Sequence, residues 1–132
     1  MIVVDTSALI AILRDEADAP NLAECLGHAD KRLISAGTML EAGIVTAHRG
    51  DEHSRLTDLV KRARLEIVAT SEAEVRAGIL AYRRYGRGSK HPAKLNFGDR
   101  FSYALAKTRN LPLLFKGDDF IHTDIEPALK PA

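Results

Sequence analysis

Four acidic residues occupy positions where side chains often do chemistry. Asp5 directly follows an apolar run at residues 2–4, and Asp118 comes just after the last apolar run of the chain. Glu41 and Asp99 each fall in the first turn of a predicted helix. Carboxylate oxygens are the ligands that hard cations such as Mg²⁺ and Mn²⁺ prefer. If the four acids meet in space, they predict a site for a divalent metal ion.

Each acid also has a purely structural interpretation. Asp5 is a preferred helix N-cap residue, and Asp118 suits an ordinary turn. The other two acids end capping-box spacings that begin at Thr38 and Asn96. Taken singly, both interpretations stay open. Taken together the acids favour a metal site, because carboxylates crowded into one cleft repel one another unless a cation neutralises them.

A divalent ion held by carboxylates suits the hydrolysis of phosphodiester bonds. One ion activates a water molecule, and a second ion ~3.5–4 Å away stabilises the leaving oxygen, so no side-chain nucleophile is needed. The sequence leaves the number of ions open. Thr6 and Ser7 are candidates for a supporting hydroxyl or for a helix cap, and Asn96 and Asp119 are further candidates for support.

The acids are positioned by alternating strands and helices. Short apolar runs rich in β-branched residues are typical of strands buried on both faces of a parallel sheet. The alternation predicts a three-layer α/β/α sandwich with a mostly parallel central sheet, in which ligands bind beyond the carboxyl ends of the strands. The predicted strands are 2–4, 33–36, 65–68 and 111–115, with a short edge strand at 124–126, and the predicted helices are 8–13, 21–28, 38–50, one around 56–60, one after a capping box at 71–74 and 96–110.

Length and composition bound the kind of protein. The 132 residues predict one domain, 1–132, and the near balance of 19 basic and 18 acidic residues excludes a general polycation. Any contact with nucleic acid must therefore come from local patches. The single cysteine, Cys25, excludes an internal disulfide, and the chain offers neither a signal-peptide pattern nor a membrane-length apolar run. We expect a cytoplasmic protein without membrane contact.

One basic stretch is a candidate contact for RNA. It contains no acid and carries Tyr82 and Tyr85 beside its cations, so it could grip phosphates while an aromatic face stacks on an unpaired base. The alternative is a solvated helix end and loop. Arg100, next to Asp99, could hold RNA from its own helix. The basic residues of the stretch are Arg83, Arg84, Arg87, Lys90 and Lys94.

Apolar residues of the first two predicted helices allow two interpretations. They either pack in the core or leave a surface for a second subunit or another protein. The residues are Leu9, Ile10, Leu13, Leu22 and Leu26.

Several motifs together resemble the PIN-domain toxins of the VapC type. The resemblance rests on residues 5–9, the lone Glu41, the segments 95–99 and 103–106, and the run 116–120, and it extends over nearly the whole chain. It implies a Mg²⁺- or Mn²⁺-dependent endoribonuclease, the toxin of a toxin–antitoxin module. It further implies tRNA or ribosomal RNA as substrate, restraint by a VapB-type antitoxin and a homodimer. The family's catalytic and metal-binding acids map onto Asp5, Glu41, Asp99 and Asp118, with Asp119 able to share or replace the role of Asp118.

Three alternatives compete with a nuclease. A magnesium-dependent phosphatase and a phosphate-accepting receiver domain both place acids at strand ends of similar folds. The phosphatase, however, requires two aspartates separated by one residue, where this chain has Ser7 after Asp5-Thr6. The receiver requires an aspartate after its middle strand, where this chain has Ala69-Thr70. The third alternative is a catalytically silent binding module on the same fold, whose mark would be missing acids.

Overall fold

Four short parallel strands form the centre of the protein in the computed structural model, which describes residues 1–86, 90–93 and 95–130. The strands are β1 (Ile2–Val4), β2 (Arg32–Ser35), β3 (Leu65–Val68) and β4 (Leu113–Leu114). The helices that surround them are α1 (Thr6–Leu13), α2 (Ala19–His28), α3 (Ala36–Thr46), α4 (Glu52–Arg62), α5 (Glu72–Tyr85) and α6 (Phe97–Arg109).

The strand order places β1 at a switch in the direction of the chain. The order is β3-β2-β1-β4, and every pairing is parallel. The chain therefore proceeds from β1 to β2 and β3 on one side and returns to add β4 on the other. Ligands of open parallel sheets bind at such a switch point, beyond the carboxyl ends of the strands. Here that point lies between the ends of β1 and β4.

Two apolar cores cover the two faces of the sheet. Strand residues alternate between them, so that Ile2 and Val4 enter one core while Val3 enters the other. The first core is completed by α1, α2, α3 and α4, and the second by α5 and α6. Side chains of a strand point alternately to opposite faces, which is why each strand contributes to both cores. The three-layer α/β/α prediction is confirmed.

Several predicted elements differ from the observed ones. The strand predicted at 111–115 is shortened to Leu113–Leu114, and the helix predicted over 38–50 ends at Thr46. Helix α3 begins at Ala36, and the hydroxyl of Ser35 accepts the Gly37 backbone N–H at 3.3 Å, so Thr38 is not the N-cap. This removes the capping-box interpretation of Glu41. The edge strand expected at 124–126 is reduced to a single parallel bridge between Leu113 and Pro127.

The apolar residues of the first two helices belong to the core. Leu9, Leu13, Leu22 and Leu26 are buried, and Ile10 packs against them while partly exposed. The interpretation of these residues as a surface for another subunit is therefore wrong. No helix in the described part of the chain is long and apolar enough to cross a membrane.

Candidate active site

Asp5 stands at the end of β1 and caps α1. Its Oδ2 accepts the backbone N–H of Ser7 at 3.1 Å and the Ser7 hydroxyl at 2.7 Å. Its Oδ1 accepts the hydroxyl of Ser102 at 2.5 Å. Burial raises the pKa of Asp5, while the hydrogen bonds from Ser102 and Ser7 oppose that rise. The capping interpretation of Asp5 is thus confirmed, and it coexists with a place in an acidic site.

Glu41 reaches the same region from α3. Its Oε1 accepts the Thr6 hydroxyl at 2.7 Å, and that hydroxyl also lies 3.2 Å from the backbone oxygen of Thr38. The carboxylate rests directly on Gly98, where any β-carbon would collide with Glu41 Oε2. A glycine at this position is therefore what allows the Glu41 carboxylate to lie beside the first turn of α6.

Asp99 lies in that first turn and is repelled electrostatically by the other acids. Its Oδ2 accepts the Asn96 backbone N–H at 2.9 Å, and the Asn96 side chain accepts the Asp99 backbone N–H at 2.8 Å. Burial raises the pKa of Asp99 to about 7, the Asn96 hydrogen bond opposes the rise, and repulsion from Asp5, Asp119 and Glu41 adds to it. The capping box is real, and four acids from four segments share one electrostatic environment.

Two buried hydroxyls that were not predicted as part of the site connect its elements. Thr38 and Ser102 are fully buried, and their hydroxyl oxygens are 3.0 Å apart. Ser102 in turn bonds to Asp5, so α3, α6 and β1 are linked through side chains. A buried serine three residues after an acid on a helix carries no recognisable sequence signal. The partners of these hydroxyls became visible only once the helices were packed.

The loop after β4 brings the remaining acids. The backbone N–H of Lys116 donates to the Ser7 hydroxyl at 3.0 Å, which ties the loop to Asp5. Asp118 and Asp119 are both exposed, and it is the charge of Asp119 that contributes to the repulsion on Asp99. The Lys116 ammonium is directed to Glu16 and Asp18.

The chemistry of this donor set fits a hard divalent cation. Burial and, to a smaller degree, repulsion from nearby acids raise the pKa of Asp99, and a cation would offset both effects. The donors are oxygens, which Mg²⁺ and Mn²⁺ prefer. Within the described ranges, no three His, Cys, Asp or Glu side chains already converge closely enough to hold a metal. Each of these acids instead accepts a hydrogen bond from the protein: Glu41 from the Thr6 hydroxyl and Asp99 from the Asn96 backbone N–H.

The basic stretch has the exposed cations that the sequence predicts, but only one of its two tyrosines is exposed. Arg83, Arg84 and Lys90 are exposed, whereas Arg87 and Lys94 lie outside the described residues. Tyr85 is buried, packed edge-on against His91 and tilted against Tyr103, so the expectation that it stacks on a base is wrong. Its ring is instead part of the core.

Arg100 lies in a groove between α5 and α6. Its guanidinium stands over the ring of Tyr82, 4.5 Å from the centroid, and donates to the Leu95 carbonyl at 3.4 Å. Tyr82 itself is exposed. Arg100 is thus anchored by its neighbours at the edge of the basic stretch.

Comparison with known proteins identifies the family. The PIN-domain model matches residues 2–126. The chain is 49% identical over 129 residues to ribonuclease VapC28 of Mycobacterium tuberculosis, with 96% of this chain and 97% of the relative covered. It is 45% identical over 128 residues to ribonuclease VapC42 of the same species, with 96% and 98% covered. The chain therefore belongs to the PIN-domain family, within its VapC ribonucleases.

Solved structures agree in fold. A toxin–antitoxin complex from Klebsiella pneumoniae superposes with a TM-score of 0.71 at 19% identity, covering 94% of this chain and 93% of the other. VapC20 of Mycobacterium tuberculosis, a toxin that cleaves the sarcin–ricin loop, gives 0.70 at 14% identity, covering 96% and 100%. The PIN-like fold is thereby confirmed. Family membership also sets aside the phosphatase, receiver and silent-module alternatives, so the protein is an endoribonuclease.

Proposed function

We propose that Asp5, Glu41 and Asp99, with Asp118 or Asp119, are the catalytic and metal-binding residues of this endoribonuclease and that the ion is Mg²⁺ or Mn²⁺. The observation that carries the proposal is that Asp99 is buried at the start of α6 and is repelled by acids of three other segments. Burial is the larger cause and repulsion adds to it, and together they raise the pKa of Asp99 to about 7. Such a cluster at the sheet's switch point gains stability when a divalent cation binds.

Neighbouring side chains and backbone groups orient the acids that would hold that ion. A bound divalent ion supplies the Lewis acidity that activates water and stabilises charge on the phosphodiester. Thr6 orients Glu41, Asn96 orients Asp99, and Ser7 orients Asp5 through hydrogen bonds that are already formed. Preformed orientation matters because reacting groups that are displaced by about 1 Å lose much of their catalytic effect.

RNA contact is assigned to the cations near α5. Arg83, Arg84 and Lys90 are exposed there, with Arg100 anchored close by, and Arg87 and Lys94 belong to the same stretch of sequence. Cations of this kind bind phosphates and make affinity fall as salt rises. The substrate class we propose is structured RNA, either tRNA or ribosomal RNA, in keeping with the sarcin–ricin loop cleaved by VapC20.

We further propose that the protein is a cytoplasmic toxin restrained by a VapB-type antitoxin. Structures with this fold include VapBC2 of Rickettsia felis bound to promoter DNA, at a TM-score of 0.67 and 18% identity, with 96% of this chain and 97% of the other covered. The single cysteine, Cys25, is compatible with a reducing compartment.

The decisive test of the active site is RNA cleavage by an Asp99→Asn variant. Asparagine keeps an oxygen that can accept the Asn96 N–H, so the capping box survives while the charge is lost. We expect cleavage of tRNA in Mg²⁺ or Mn²⁺ to fall by more than ~100-fold, beyond the usual loss when an outer-shell partner of a metal ligand is removed. Sequencing of RNA ends reports the activity and the cleavage site together.

The matched control is Asp58→Asn, which removes an exposed acid from α4. It should cleave like the wild type, because Asp58 lies on a helix outside the acidic cluster. If Asp99→Asn retained wild-type cleavage while melting at a lower temperature, Asp99 would serve the capping box alone and the proposed site would be wrong.

We also propose a homodimer that uses an exposed apolar face of α3, α5 and α6. Gly37 of α3 packs on Phe101 of α6, and Phe101 in turn lines the groove between α5 and α6, so α3 lies beside the helix that forms one wall of the groove. Contiguous exposed apolar surfaces of this kind mark interaction sites. The large side chains of this face are each at least half exposed: Leu40, Ile44, Val75, Ile79, Tyr82 and Phe97.

Replacing one residue of this face tests the dimer. Ile44→Glu puts a charge on a side chain that is 67% exposed, and Leu80→Glu does the same at 63% exposure on the other side of α5. We expect Ile44→Glu to be a monomer, with half the wild-type mass in light scattering. Leu80→Glu should keep the mass of a dimer. A monomeric wild type, or equal effects of both changes, would contradict this interface.

A further inference from the structure

We propose that Ser102 is a positioning residue of the active site: its hydroxyl, oriented by Thr38, fixes Asp5 so that Oδ1 is the oxygen offered to the cation. This inference rests on the proposed metal-dependent function. It assigns a role to two residues that are neither acids nor neighbours of Asp5 in the sequence.

The direction of the hydrogen bonds follows from the number of protons. An ionised aspartate only accepts, so the single proton of the Ser102 hydroxyl points to Asp5 Oδ1, 2.5 Å away. The Thr38 hydroxyl, 3.0 Å from Ser102, must then donate to the Ser102 oxygen. Hydroxyls that donate in series polarise one another, which strengthens the last bond of the chain. Thr38 thereby acts on Asp5 through Ser102.

The two oxygens of Asp5 differ in the capacity they retain. A carboxylate has about two acceptor sites on each oxygen. The backbone N–H and the hydroxyl of Ser7 occupy both sites of Oδ2, at 3.1 and 2.7 Å. Ser102 occupies one site of Oδ1. Among the hydrogen bonds of the described residues, Oδ1 is therefore the oxygen with an acceptor site left for a cation, and Ser102 sets its direction.

Other hydroxyls on the helices show what Ser102 would do in a merely local role. Thr46 donates to the carbonyl of Ala42 at 2.9 Å, and Thr108 donates to the carbonyl of Ala104 at 2.8 Å, each four residues earlier. This back-bonding is the ordinary choice of a hydroxyl inside a helix. Ser102 instead turns away from α6 and bonds to a side chain at the end of β1. Its bond serves Asp5 rather than its own helix.

The test is Mn²⁺ binding to the purified full chain, measured by titration calorimetry. Ser102→Ala should weaken Mn²⁺ binding by about 10-fold, the low end of what the loss of an outer-shell partner costs. Thr38→Val keeps the volume of the side chain, removes the donor behind Ser102 and should produce a smaller loss. It also keeps the inference testable if Ser102→Ala fails to fold.

The matched control is Thr46→Val, which removes another fully buried hydroxyl from a helix. Its Mn²⁺ affinity should equal that of the wild type even if its melting temperature falls. If Ser102→Ala and Thr38→Val bind Mn²⁺ like the wild type while Asp5→Asn does not, the positioning role is overturned and the metal site stands. If Asp5→Asn and Asp99→Asn also bind like the wild type, the proposed function fails and takes this inference with it.

Discussion

The proposed active site has two halves that are built differently. Asp5, Glu41 and Asp99 lie on a strand end and on two helices, and each accepts hydrogen bonds from a side chain or backbone group nearby. Asp118 and Asp119 lie on an exposed loop after β4, which is tied to the first half through the Lys116 N–H and Ser7. We refer to these as the fixed half and the loop half.

The difference indicates a division of tasks. Orientation of the fixed half is established during folding, so binding a cation there costs little further ordering. The ionised form of Asp5 and Asp99 is also disfavoured in this half, because burial removes water from both carboxylates and other acids repel Asp99. In the loop half, exposure leaves the charges solvated and the side chains able to adjust. Changes in the fixed half should therefore have the larger effects.

After the loss expected for Asp99→Asn, the next largest effect in the fixed half is expected from Gly98→Ala. The new methyl group would displace the Glu41 carboxylate, and a displacement of about 1 Å can cost ~100-fold in rate. Stability should hardly change, since the group that must move is the end of a flexible side chain. The measurement is RNA cleavage together with the melting temperature.

Gly78→Ala is the control for this change. A β-carbon at Gly78 meets Ala104 and Arg100 at 4.0 Å, an ordinary contact, and alanine favours a helix. Its cleavage rate should match the wild type. Equal activity of both alanine variants would show that the position of Glu41 is not critical. The proposed difference between the fixed half and the loop half would then be wrong for Glu41.

A smaller effect is expected in the loop half. Asp119→Asn should lower cleavage by about 10-fold, comparable to the loss of an outer-shell group, because its charge reaches Asp99. Asp118→Asn should lower cleavage less, and neither change should move the melting temperature because both side chains are exposed. A greater loss for Asp118→Asn would assign the fourth acid to Asp118, as the family pattern implies.

The smallest effect concerns stability and pH in the presence of a chelator. The pKa of Asp99 is about 7 in the folded chain against 3.8 for an ordinary aspartate, so the folded state binds more protons between these values. Its contribution to stability is full below about pH 4 and is lost as the pH rises through about 7. The urea midpoint of the wild type should therefore fall from pH ~5 to pH ~8 more than that of Asp99→Asn. An equal decrease of the urea midpoint in both proteins would mean that ionisation of Asp99 does not destabilise the folded state.

Much of the fold can be predicted from the sequence, because apolar runs and capping boxes favour the same strands and helices that the tertiary structure contains. The run at 2–4 is a strand as predicted, and the capping boxes at Ser71 and Asn96 begin α5 and α6. Asn110 ends α6 in the left-handed conformation, where the helix predicted over 96–110 ends. The start of α3 was misplaced because Ser35 and Thr38 are both acceptable caps, and the sequence does not rank them.

The types and spacing of the acids, with the strand–helix alternation, were determined by the sequence alone, since they depend on periodicity and on neighbours along the chain. Tertiary structure decided the contacts that individual side chains make. It turned Ser102 towards Asp5, buried Tyr85 and placed Leu9 in the core. These outcomes depend on contacts between residues far apart in the chain, and the free energy of such contacts exists only once the helices pack on the sheet.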